Sequence, residues 1–295
     1  MKINKWILPM LLVTAFFASC NNDDDLKPSN LERNWFVLED SDDPVDHLRY
    51  LFYEETGIPV FYNDTIGVTE RTDVFGNSYL DYTTLSMDYS LGGVGSRPLI
   101  WYYSLCPKED VPDGLDFLET EIMPWVPEGI HVHSFLLLDS LALTSGSVES
   151  FKGMNTVLVA GITKLKNMEQ EERSQLRAAV LGTMFAASVS TLENELKSFY
   201  QTTRSYYDTE DLYGYNLWYF QNRTPYSDPK EVGFLGVDPT NTYSLPTESV
   251  DVSMYIEAIF AYTEAEFEGL YGGYEAVMKK YEIMVSILKG LGVPL

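Results

Sequence analysis

Three histidines, His47, His131 and His133, are all the imidazole this 295-residue chain possesses. His131-Val132-His133 sets two of them on one side of a strand, because side chains alternate along extended backbone. With a nearby carboxylate that pair would bind a divalent ion. A polar, solvated strand edge has the same spelling. Asp40, Asp42, Asp43 and Asp46 gather carboxylate oxygens, the donors Ca²⁺ prefers. They lack EF-hand spacing, and helix capping already accounts for Asp43 and Asp46. Cys106 precedes Pro107 after the apolar run 99–105 and reads as a buried thiol, with no histidine-paired nucleophile pattern around it. Leu91-Gly92-Gly93-Val94-Gly95 is glycine-rich, but it has neither the Lys-Ser/Thr of a phosphate loop nor a dinucleotide fingerprint. No Gly-x-Ser-x-Gly elbow occurs. Carboxylate pairs such as Glu193 and Glu195 arise by chance in so acidic a chain, so they do not indicate a glycosidase.

Aromatic residues offer binding rather than catalysis. Eight of them lie between Tyr206 and Tyr226, among them Tyr213, Tyr215, Trp218 and Tyr219. Rings with polar tips suit glycans or extended peptides, where flat faces stack and hydroxyls hydrogen-bond. Core packing and loop anchoring beneath helices is the plainer use of the same residues.

The elements that position these groups follow from periodicity. Asp43-Pro44-Val45-Asp46 predicts a helix start, Val45, Leu48, Leu51 and Phe52 an apolar stripe, and Gly57 a stop. Ile58 to Tyr62 reads as a strand, whereas Asn63 to Leu80 mixes turn signals with short apolar pieces and has no clear pattern. A short helix is expected around Leu115 to Ile122. Ile130 to Asp139 and Thr156 to Ile162 read as a hairpin-like strand pair. Asn167 and Gln170 resemble a capping box opening one long helix that runs to about Tyr200, with Leu176, Val180, Met184 and Ala187 on one face. Val250 to Tyr262 is helical. Thr263 with Glu266 caps another helix, and the last carries Val277, Tyr281, Met284, Val285 and Leu288 before Gly290. Strands in the first half and helices in the second make an α+β class, which often lays a helical layer on a sheet.

The chain begins with a removable segment, 1–19. Lys2 and Lys5 are its positive region, Trp6 to Phe17 an apolar run too short to span a bilayer, and Ala18-Ser19 the small residues beside a cut. Cys20 follows directly, which is the mark of a bacterial lipoprotein whose thiol takes a diacylglycerol. Asn21-Asn22-Asp23-Asp24-Asp25 resembles the export signal of Bacteroidetes lipoproteins that reach the outer face of the outer membrane. Residues 20–30 would be a solvated acidic tether and 31–295 a single domain. Acyl chains anchor without a transmembrane helix. The formal charge is −24, and loss of Lys2 and Lys5 takes it to −26. Nucleic acid is a poor partner for such a chain, because its affinity rests on Lys and Arg at phosphates. Neutral glycans, cations or basic peptides remain compatible. Once Cys20 is acylated, Cys106 has no disulfide partner.

The order of segments resembles a known family. Residues 44–50 and 57–62 come first. The pairs 134–140 and 155–160 follow, then Arg177 to Ala186, then Gly233-Phe234-Leu235, and last Val250 to Ala258 with a closing amphipathic helix. Over most of the mature chain this is similar to the zinc-binding metallopeptidase lipoproteins of Bacteroidetes, and it implies a zincin-like fold. In that family His-Glu-x-x-His puts two imidazoles on one helix face, the Glu activates water, and a downstream helix gives an acidic ligand. The resemblance lays those positions on Gly182, Thr183, Ala186 and Met254. None of the four is a zinc-binding side chain, and 168–200 contain no histidine. The implied protein is a pseudo-peptidase with no expected cofactor, leaning away from enzyme and toward a surface-exposed binding or accessory lipoprotein. Two alternatives stand beside it: a hydrolase or peptidase with a relocated site, and a structural subunit of an outer-membrane nutrient-uptake complex.

Overall fold

Asp43 opens the first helix as expected. Its carboxylate accepts from the N–H groups of Val45 at 3.0 Å and Asp46 at 3.2 Å. Pro44 fills the first position, where a missing N–H costs nothing. Gly57, at φ 71°, closes α1 (Pro44–Thr56). Of the expected apolar stripe, Phe52 is buried, while Leu48 and Leu51 stay exposed. α1 lies at the edge of the fold, chiefly against β1 (Val60–Phe61) and α2 (Val111–Phe117), so only a narrow face is covered. This computed structural model describes residues 33–88 and 99–295. The leader, Cys20, the acidic tether and the loop at Leu91–Gly95 lie outside the described residues. Phe36–Leu295 form one compact unit.

The expected hairpin between 130–139 and 156–162 is replaced by a parallel pair. β5 (Phe135–Leu143) runs alongside β8 (Val157–Val159), with Phe135 opposite Val157. The chain between them makes its own returns, through β6 (Gly146–Ser147) back onto β5 and β7 (Ser150–Lys152) antiparallel to β8. β1 also pairs in parallel with β5, giving the order β1-β5-β8-β7. β4 (Ile100–Leu105) joins the far half of β5 antiparallel. Phe135, Leu136, Leu137 and Leu138 are all buried, so β5 reads as a continuous apolar run instead of an alternating one. The unpatterned stretch after Tyr62 forms a separate hairpin, β2 (Thr65–Thr72) and β3 (Ser78–Thr84). Its turn is built by Asp73, which accepts from the N–H groups of Phe75 and Asn77, with Gly76 at φ 88°.

Helices cover one sheet face. α3 (Gln170–Ser190) opens on a reciprocal Glu169–Glu172 capping box, two residues later than the sequence suggested. It ends where Ser190 and Thr191 turn their hydroxyls back onto the carbonyls of Ala187 and Ser188. Such bonds compete with helix propagation, and α4 (Glu193–Arg204) begins as a new helix. α5 (Leu217–Arg223), α6 (Glu248–Ala261), α7 (Glu264–Tyr271) and α8 (Glu275–Gly290) follow. Thr263 and Glu266 form the expected box at α7, while Gly292 at φ 91° lies beyond the end of α8. The main core joins Phe135, Leu137 and Val159 from the sheet to Val180 and Phe185 of α3, Tyr255 of α6 and Met284 of α8. Phe61, Leu136, Leu138 and Leu158 fill a smaller core on the other face. The architecture is α+β with its helices mostly C-terminal.

Candidate functional site

The most extensive helix–helix contact joins α3 to α6. Phe185 meets Phe260 with ring centroids 5.4 Å apart. Arg177 of α3 donates to the Phe260 carbonyl at 3.1 Å, a cation on the last carbonyls of α6. Arg173 is held in turn by Glu121 at 2.7 Å. Gly182, Thr183 and Ala186 stand on α3 and Met254 on α6. Gly182 is buried; the other three are half-buried. A Cβ added at Gly182 would come 2.6 Å from Cγ of Glu257, so the α6 glutamate occupies the space a side chain there would need. The Met254 methyl is directed toward Gly236.

Zinc does not fit these residues. Glycine and alanine give no donor atom, threonine a hydroxyl and methionine a thioether, whereas zinc takes thiolate, imidazole and carboxylate. Among the described residues no group of three His, Cys, Asp or Glu side chains is placed to hold a metal ion.

Glu257 is the carboxylate that α6 brings against Gly182. The residue keeps solvent contact, while protein atoms crowd its carboxyl. Loss of hydration, followed by repulsion from Glu149, raises its carboxyl from 4.5 to about 7. The pH dependence follows from the sign. Below 4.5 both folded and unfolded chains hold this proton. Between 4.5 and about 7 the unfolded chain releases it first, so Glu257 erodes stability as pH rises through that window, with no further loss above it. Glu257→Gln is expected to flatten that part of the stability–pH curve. Urea midpoints measured on either side of the window check this, and an unchanged slope would count against it.

A second polar centre is fully enclosed. Asp251 of α6 and Lys280 of α8 are both 0% exposed and in direct contact. Lys280 Nζ also donates to Thr203 Oγ1 at 3.1 Å and to the Tyr213 hydroxyl at 3.4 Å. Tyr213 donates to Asp251 Oδ2 at 3.1 Å. Rings of Phe199, Phe234, Tyr255 and Tyr213 stand 4.2–5.6 Å from the ammonium nitrogen. Asp251 Oδ1 has no partner. Burial is the largest influence on both groups. It pushes the Asp251 carboxyl up and the Lys280 amine down, each toward its neutral form.

The aromatic stretch divides into base and face. Leu212, Phe220, Val232, Phe234 and Leu245 form a buried cluster of their own. Tyr213 belongs to the Lys280 centre, and burial pushes its phenol far above the ordinary range. Trp218, Tyr219 and Tyr243 point outward at 60%, 40% and 78% exposure. Asn216 caps α5 by accepting from the Tyr219 N–H at 3.2 Å. The Leu217 N–H donates to the Tyr243 carbonyl at 2.8 Å and brings that loop alongside. Trp218 and Tyr219 stand edge to face at 5.2 Å, Tyr215 lies 6.4 Å from Tyr219, and Arg223 lies over the Tyr219 ring at 4.3 Å. Tyr243 carries no signal in the aromatic run, because a backbone bond between distant segments delivers it.

The remaining candidates are placed elsewhere. His131 and His133 are exposed on one side of extended chain with Val132 buried between them, but they precede β5 and belong to no strand. They line a cavity of about 210 Å³ with Lys152 and Met184 and with no carboxylate, and His133 packs on Phe36 at 4.4 Å. Three of the four aspartates are engaged by neighbouring groups. Asp40 bonds His47 at 2.6 Å, Asp43 caps α1 and meets Lys108 at 2.9 Å, and Asp46 pairs with Arg49 at 2.6 Å. Cys106 is buried, and burial pushes its thiol up to about 12, far from a reactive thiolate.

No family model, curated protein or solved structure matches this chain. Among the described residues, no helix is long and apolar enough to cross a membrane.

Proposed function

We propose that this protein is a lipid-anchored surface binding protein of the outer membrane, built on a zincin-like fold that has given up catalysis, and that its ligand is a neutral glycan. The leader and Cys20 support the anchoring. At the positions laid on Gly182, Thr183, Ala186 and Met254, zinc donors are replaced by packing groups and by Glu257. The observation that carries the ligand assignment is the exposure of the Trp218, Tyr219 and Tyr243 rings on two segments joined by the Leu217–Tyr243 backbone bond, beside the buried cluster of Phe220 and Leu245. Solvent-facing rings held in fixed orientation stack on the C–H faces of sugars at little entropic cost. The strongly acidic chain disfavours anionic polymers.

Neutral oligosaccharides titrated against Trp fluorescence test this reading. Trp218→Ala is expected to weaken binding about tenfold and Tyr243→Ala by a similar factor, the scale of one lost stacking contact. Response to extended peptides alone would remove the glycan assignment, and glycan binding that survives both substitutions in a folded protein would remove these rings from the site.

A further inference from the structure

Lys280 and Asp251 do more than face each other. Each is wholly buried, they touch directly, and four aromatic rings shut water out of the space around them. We propose that Lys280 Nζ and Asp251 Cγ condense into an intramolecular isopeptide bond that staples α8 to α6.

The step needs no redox partner and no cofactor. The neutral amine attacks Cγ of the protonated carboxyl. The C–N bond forms, the Cγ–Oδ2 bond breaks, and Oδ2 leaves as water with one hydrogen from the carboxyl and one from the amine. Asp251 Oδ1 stays behind as the amide oxygen. Three features of the site serve this sequence. The Tyr213 hydroxyl lies within hydrogen-bond reach of both Oδ2, at 3.1 Å, and Nζ, at 3.4 Å. It can therefore pass the amine proton to the departing oxygen. Thr203 Oγ1 accepts from Nζ at 3.1 Å and fixes the direction of the nitrogen lone pair. Contact within a rigid core supplies the proximity that a free amine and acid in water lack.

The environment also favours product over reactants. Burial draws both groups toward their neutral forms, the forms that react. A neutral amide costs less to keep dry than two opposite charges, one of which leaves an oxygen unpartnered. Cys106 is the single cysteine after Cys20, so the domain has no disulfide with which to brace itself. An amide between α6 and α8 would brace it without redox chemistry.

Peptide mapping of the full chain after denaturation and proteolysis decides the matter. The expected product is a branched peptide containing both Asp251 and Lys280, lighter by one water than its two arms together. Lys280→Arg should give only linear peptides, and so should Tyr213→Phe, which keeps the ring but removes the relay. Asp251→Asn offers an independent reading, because the same bond would then form with loss of ammonia. Linear peptides of unaltered mass from the unsubstituted chain, with Lys280 open to acylation in denaturant, overturn the proposal. A branched peptide from Lys280→Arg would overturn the assignment of the nitrogen, and one from Tyr213→Phe the role of the phenol.

Discussion

Lys280→Met is expected to cost about 3–5 kcal/mol of folding stability, the scale of stranding one buried polar partner, because Asp251 loses the nitrogen that faces it whether that nitrogen is an amine or an amide. The reason lies in what is left behind. Asp251 would keep its place at 0% exposure with Oδ1 unpartnered and only the Tyr213 hydroxyl on Oδ2. A buried carboxylate without a counter-charge takes a proton instead, and burial already pushes this carboxyl upward. The deficit should therefore shrink in acid and grow as pH rises, because the unfolded chain ionises before the folded one. Lys280→Met combined with Asp251→Leu should recover most of the loss, since an apolar pair of similar volume leaves no polar group stranded. Denaturant unfolding of the two singles and the double gives the coupling directly. A single-variant loss below about 1 kcal/mol would mean that the centre opens to water and is not the sealed pair described.

Gly182→His carries the next largest effect, about 1–3 kcal/mol of destabilisation from overpacking. It would install the side chain that the resemblance aligns with this position. The space is taken, because Glu257 Cγ stands 2.6 Å from where a Cβ would be. An imidazole must drive the glutamate out or part α3 from α6, where Phe185 and Phe260 interlock. Gly182→Ala should cost less, because a rotation of the Glu257 side chain relieves one methyl. Glu257→Ala in the Gly182→His background should restore much of the stability. Thermal unfolding of the set separates the two cases: a Gly182→His protein as stable as its parent would show that the contact is looser than its geometry implies.

How much of this was legible beforehand differs by element. The capping residues spoke clearly. Asp43, Gly57, Thr263 and Glu266 act within one turn of their own backbone, and local chemistry is what a sequence displays. Strand partnership did not show. The apolar runs at Phe135 and Val157 were visible, but whether they pair parallel or antiparallel depends on the chain between them, where β6 and β7 are too short to carry a pattern. The hairpin of β2 and β3 was hidden for another reason. Its outer positions include exposed Val68, Tyr79, Leu80 and Tyr82, so the alternation of buried and polar residues is blurred. At the sites, the four positions that the resemblance aligns with zinc ligands were named from the order of segments. The answer of Glu257 to Gly182 could not, because it depends on two helices meeting. Lys280 carries no signal of its own within the amphipathic last helix, and only tertiary packing encloses it completely.

Lys280 stands on α8, 29 residues after its partner Asp251 on α6. A polypeptide is made beginning with its N-terminus. Until α8 arrives, Asp251 lacks its partner, and Val277, Met284 and Leu288 are missing from the core. A nascent chain that has emerged only as far as α7 cannot complete this packing. Setting the group that closes the core two helices downstream of its partner makes closure a late event of synthesis, leaving α6 free to rearrange until α8 has emerged.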